Sequence, residues 1–222
     1  MSAIQPGLRR CPGDEVDTHL VETVTVSVPA ERVLRWTANF ETRHGPTSFV
    51  VGEGALAGTA DDGSTFTARL PFGAAYDGPP EPAGLVAAAV APADWGILLV
   101  RKGGFAVARM SRSTIADHKI GQRHVQGRTK AGGQSQQRFA RRRDNQARQA
   151  FEAAAEHAVR ILRPGLVVTG GDHAAVDDVL ADPRLRGLTV VPPWLAVPDP
   201  KRAVLDQALR DAVALRVEVV NA

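Results

Sequence analysis

The sequence predicts an α/β fold with a mixed sheet, on three observations. Apolar segments over 96–120, separated only by tight-turn residues, have the form of an antiparallel three-strand meander. After them, helix-like and strand-like segments alternate to the end of the chain, as when helices cover a sheet. Before them, a Val-rich strand pattern runs into Pro29, a residue suited to the first turn of a helix.

In chain order, residues 1–18 carry Pro6, Pro12 and Asp14 without a hydrophobic period and are expected to form a loose arm. Over 21–28, Val alternates with Glu, Thr and Ser, the mark of a half-buried strand, and the helix opened by Pro29 is expected over 30–43, ended by Gly45. Strands are expected at 47–52 and 65–70, with Asp61-Asp62-Gly63 as a turn before the second. The proline-rich stretch 71–82 reads as a loop leading into a short apolar helix that ends near Pro92. A boundary is placed close to residue 93, dividing an N-terminal α/β subdomain (19–93) from a second domain (94–222). In the second, strands are expected at 96–100, 105–110 and 113–120, turned first by Gly103-Gly104. A long helix runs to about Leu162, where Pro164-Gly165 stops it. A strand at 166–169, a helix capped by Asp172 to about Leu180, a strand at 188–191, a helix from Pro200 through Leu215 and a last strand at 217–220 complete the chain.

At 222 residues the chain can bury a sizeable core. One cysteine, Cys11, excludes an internal disulfide and zinc sites built on two or more cysteines. The N-terminus has no apolar leader, and Pro92 and Asp94 interrupt the longest apolar stretch, 83–100. A soluble cytoplasmic protein without a membrane partner is expected. The formal net charge is only +3, but 122–163 holds ten basic residues against Asp144, Glu152 and Glu156, a local excess of seven that leaves −4 for the remainder. Charge polarised in this way points to a nucleic-acid face.

Within that basic region stands Thr129-Lys130-Ala131-Gly132-Gly133-Gln134-Ser135, followed by Gln136-Gln137-Arg138-Phe139-Ala140-Arg141-Arg142-Arg143. Adjacent glycines permit backbone angles closed to other residues and let main chain approach a partner closely. Ser135 stands where a helix N-cap belongs, and the arginines after it suit a phosphate-rich target. On their own, a Gly-Gly pair serves an ordinary turn and an arginine run serves a solvated helix face.

Gly132-Gly133-Gln134-Ser135 with Arg138-Phe139-Ala140-Arg141 resembles the central domain of eukaryotic and archaeal peptide release factors. From about Trp95 onward the order of strands and helices is similar to that of actinobacterial release-factor-like peptidyl-tRNA hydrolases, relatives of a eukaryotic ribosome-rescue hydrolase. The resemblance implies an RNase H-like layout and codon-independent hydrolysis of peptidyl-tRNA on stalled ribosomes or separated large subunits, with ribosomal RNA as a further partner and no cofactor. It assigns Gln134 the catalytic main-chain donor, with Gly132 and Gly133 supplying its conformation. Arg128, Lys130, Arg138, Arg141, Arg142 and Arg143 are the expected RNA contacts. In eukaryotic factors an arginine precedes the glycines, whereas Ala131 stands here with Lys130 one residue earlier. The chain is shorter than a factor carrying codon-reading and partner-binding domains, which is why rescue is expected over codon-dependent termination.

Other candidates point less far. His124 lies near the tip and has the chemistry of a base, although a lone loop histidine is ordinarily just exposed. Gly170-Gly171-Asp172 follows a strand and opens a helix but lacks the lysine and hydroxyl of a phosphate-binding loop. His19, His44, His118, His157 and His173 show no metal-ligand spacing, and Trp36, Trp95 and Trp194 form no visible stacking series.

Overall fold

The computed structural model of the protein describes residues 23–122 and 149–222. Its strands form two five-stranded sheets. In the first, β1 (Thr23–Val28) and α1 (Val33–His44) take the expected order, with a 3₁₀ turn at Ala30–Arg32 between them. Gly45 ends α1 at φ 93°, an angle glycine adopts without steric cost, and donates its N–H to Glu41 O at 2.9 Å.

β2 (Thr47–Gly52) and β4 (Thr65–Arg69) lie where their patterns place them, but β3 (Ala55–Ala60) joins them unannounced. Its small residues show no alternation. The cause lies on the next strand: Gly58 pairs with Phe66 of β4, whose ring fills the space a side chain at 58 would need. α1 and α2 (Pro82–Ala88) cover one face of this sheet, burying Phe40, Phe66, Leu85 and Leu215. Tyr76, from the proline-rich loop, is buried with them and donates its hydroxyl hydrogen to Pro79 O at 2.6 Å. That burial and the electrostatic effect of Glu81 and Asp77 raise its pKa above the ordinary value.

The second sheet has the order β7-β6-β5-β8-β9. β5 (Asp94–Arg101), β6 (Gly104–Ser111) and β7 (Thr114–Gln122) form the expected antiparallel meander, and β8 (Gly165–Gly171) and β9 (Leu188–Leu195) continue it in parallel with β5. This layout agrees with the RNase H-like expectation and is an α/β arrangement. α3, described over 149–161, and α4 (His173–Leu180) cover one face, while α5 (Arg202–Ala212) covers the other. The continuous apolar run in β5 follows from burial on both sides: Leu98 and Val100 enter one core, Trp95, Ile97 and Leu99 the other. β9 extends past the expected 188–191 through Pro192 and Pro193, which an edge strand tolerates because one side of its backbone has no strand partner.

Three expectations are corrected. Asp172 stands at the N-cap of α4, but its carboxylate makes no capping bond; the turn is held by main chain, Asp172 N–H donating to Val100 O at 2.8 Å. α5 begins at Arg202 and stops at Ala212, since Leu215 is already strand. That strand, β10 (Leu215–Val220), does not join the sheet of 94–222: it lies between β1 and β4 in the first sheet. Its alternate residues Leu215, Val217 and Val219 enter the apolar core under α1 and α2.

Leu215 is fully buried at 0% exposure. Leu215→Ala is expected to cost about 2–5 kcal/mol in denaturant unfolding. Hydrogen exchange should locate the loss in the amides of β1 and β4; loss confined to β5–β9 would contradict this role for β10.

Candidate nucleic-acid interface

Gly132, Gly133, Gln134, Arg128, Lys130, Arg138, Arg141, Arg142 and Arg143, with His124 and Ser135, all fall in 123–148, outside the described residues. The structure places the flanks of that segment. Because β5, β8 and β9 run parallel and β6 and β7 alternate in direction, Arg101, Gly104, Gln122, Gly171 and Leu195 share one edge of the second sheet. The chain passes from Gln122 at this edge into 123–148. It continues through α3 toward the start of β8 at the opposite edge, so the segment is rooted at the carboxyl ends of the parallel strands, where open α/β sheets characteristically place ligand sites.

Packing makes the root rigid. A side chain at Gly121 would collide with the Phe105 ring, which crosses the strand at that point. His157 of α3 stacks on the same ring at 5.6 Å between centroids. Ala154, Ala155 and Ala158 present small side chains to the core, and Gly96 leaves room for Leu162, so the helix lies close on the sheet. On its outer side α3 is tied by Glu156, which accepts from Arg184 at 2.6 Å; Arg184 also grips Asp182 at 2.7 Å. Arg184 holds both carboxylates below their ordinary pKa, Asp182 at about 2. The cluster is exposed and solvent-screened, so it orients the helix more than it stabilises it.

Two arginines counted in the basic excess prove to be matched. Arg160 faces Asp117 of β7 at 3.4 Å, and Arg163 faces Asp94 of β5 at 3.9 Å, with Arg109 also on Asp94 at 3.6 Å. These partners are far apart in sequence, so the pairing is invisible in a linear charge count. Arg101 ends β5 at this edge and Lys102 stands in the turn after it, two basic residues before Gly103-Gly104 that the sequence reading did not single out. A cleft of about 610 Å³ between the first sheet and β9 is lined by Arg69, Arg216, Glu53, Glu218 and Trp194, and it contains none of the predicted site residues. Its charges are mixed, and the segment's root lies across the second sheet from it.

Residues 93–218, more than half of the chain, match the family described as Actinobacteria/chloroflexi VLRF1 release factor. The chain belongs to this release-factor family. No curated protein matches it. Membership carries a release-factor-like role in translation or ribosome rescue, and with it interaction with the ribosome. The match begins just before β5 and ends inside β10, so it spans the second sheet, its helices and both flanks of 123–148, and leaves β1–β4 outside. Among the described residues, no helix is long and apolar enough to cross a membrane.

Burial, then the nearby charges of Lys119 and Arg160, lower the pKa of His157 below its ordinary 6.5. The fold therefore prefers the neutral ring, and the unfolded chain takes up the proton first as pH falls. The contribution of this group to stability is complete above pH 6.5 and declines below it. His157→Phe keeps a ring on Phe105 without the titration. Thermal melts at pH 7.5 and 5.5 should show a smaller acid-side loss in the variant than in the parent; equal losses would remove His157 from the explanation.

Proposed function

We propose that this release-factor relative is a codon-independent peptidyl-tRNA hydrolase, freeing nascent chains on stalled ribosomes or separated large subunits. The observation that carries the reading is Gly132-Gly133-Gln134-Ser135 followed by Arg138-Phe139-Ala140-Arg141, in a chain of the release-factor family. Ester hydrolysis requires an admitted water and a donor for negative charge at the tetrahedral centre and the departing 3′ oxygen. Gln134 is assigned that donor through its main-chain N–H, its side chain helping to position the water, while Gly132 and Gly133 allow the conformation. A preorganised donor of this type is worth about 2.7–4 kcal/mol, and placement in the peptidyl-transferase centre supplies much of the rest. Peptidyl-tRNA and ribosomal RNA are the proposed partners, and the protein acts in the cytoplasm. We also place a domain division near residue 93, with β10 returning to the N-terminal part.

Arg128, Lys130, Arg138, Arg141, Arg142 and Arg143 are assigned to RNA phosphates. Replacing Arg141, Arg142 and Arg143 together by Ala should weaken binding to large subunits and flatten the salt dependence by about one unit of slope for each phosphate no longer neutralised. Unchanged affinity and slope would leave those residues as a solvated helix face.

Catalysis is tested with large subunits carrying peptidyl-tRNA and no mRNA. Gly133→Ala should abolish release with binding intact, and Gln134→Pro, which deletes the N–H, should do the same, whereas Gln134→Ala keeps the donor and retains part of the activity. Full release in all three removes Gln134 from the mechanism. The 3′ end of the tRNA product decides the reaction class. Hydrolysis returns an intact CCA end, while tRNA lacking those nucleotides would reassign the protein to nucleases, with His124 and the neighbouring arginines as the first residues to replace.

A further inference from the structure

The imidazole of His173 lies flat on the indole of Trp194, their centroids 3.5 Å apart and their planes at 9°. His173 is exposed and Trp194 only partly so. One face of the imidazole is therefore covered, while the residue as a whole remains exposed. The two rings come from different elements, His173 being the first residue of α4 and Trp194 the penultimate residue of β9. Both stand at the sheet edge from which 123–148 departs. Across three to four strand spacings the platform is about 14–19 Å from the β7 exit. Between them are the ends of β5 and β8: Arg101 lies over Gly171, its Cγ 3.1 Å from where a β-carbon would be, and Lys102 occupies the exposed turn beside it.

We propose that the outer face of His173 is a stacking platform for an unpaired RNA base. The assignment rests on the ribosomal reading above and names a contact outside the Gly-Gly-Gln segment. A flat ring already backed by a second ring loses little freedom when a base adds to the stack, and such stacking tolerates any base. A strand held by the basic segment can extend along this edge past Lys102 and Arg101 to reach the platform. The local charge makes the contact one of bases more than of phosphates: Arg101 is engaged by Asp199 at 3.7 Å, Asp172 immediately precedes His173, and Asp177 and Asp178 follow it on α4. Affinity gained here depends little on salt, unlike that gained from the arginines of 123–148.

The test uses the full chain with a short fluorescent oligoadenylate, single-stranded or paired with oligouridylate. His173→Ala should weaken single-strand binding about fivefold or more with the salt slope unchanged, and His173→Phe should restore it. The preference of the parent for single strand over duplex should shrink in His173→Ala. Photocrosslinking of an iodouridine-containing strand should yield adducts at His173 or Trp194. Unchanged affinity in a folded His173→Ala protein, or adducts confined to other regions, would overturn the proposal and leave the two rings as internal packing. No peptidyl-tRNA ester is present, so loss of the hydrolase reading leaves this result standing, and the arginine variant reports the phosphate contacts separately.

Discussion

Burial of β5 on both faces, with hydrogen-bonded strands on both sides, is the constraint from which the rest of the second sheet follows. Ile97, Leu98 and Leu99 are wholly inaccessible, and the two cores they enter are closed by α3 and α4 on one side and α5 on the other. The neighbours of β5 take their direction from their connections: β6 returns antiparallel through a tight turn, and β8 aligns parallel after the chain has crossed back along α3. The carboxyl ends of β5, β8 and β9 and the end of β7 then gather at one edge. The point at which the chain leaves β7 for 123–148 is thus fixed by core packing.

Charge is distributed in keeping with that placement. Around the root, Arg160, Arg163 and Arg109 face Asp117 and Asp94, and Arg184 is shared between Glu156 and Asp182, so α3 and the meander meet as a locally balanced body. Lys102, at the turn after β5, is exposed and has no carboxylate partner within ion-pair distance among the described residues.

β10 makes the two sheets interdependent. The family match runs into this strand, yet its apolar residues Leu215 and Val217 are buried under α1 and α2, outside the match. The junction is reinforced where Phe72 meets Trp95 edge to face at 4.9 Å, and a β-carbon added at Gly73 would meet the Pro192 ring at 3.4 Å. Residues 23–92 are thus part of what keeps the matched region folded, whatever else they do.

The sequence alone determined the elements with a strong local signal. The meander is legible because 96–100 is an unbroken apolar run and Gly103-Gly104 turns it; α1 is legible from Pro29 to Gly45; and the Gly-Gly-Gln motif with its arginines can be read as a motif because its residues are contiguous, although it lies outside the described residues. Tertiary structure decided what depends on neighbours remote in the chain. Gly58 of β3 is a glycine because the Phe66 ring fills the space beside it, and β10 pairs with β1 and β4, where its alternate residues meet the core under α1 and α2. The matching of Arg160 with Asp117 and the stacking of His173 on Trp194 likewise join residues from separate strands and helices. Local pattern encodes which face of an element is apolar, but the partner for that face is chosen by the packing of the whole chain, and so strand order, ion pairing and ring stacking emerged only with the fold.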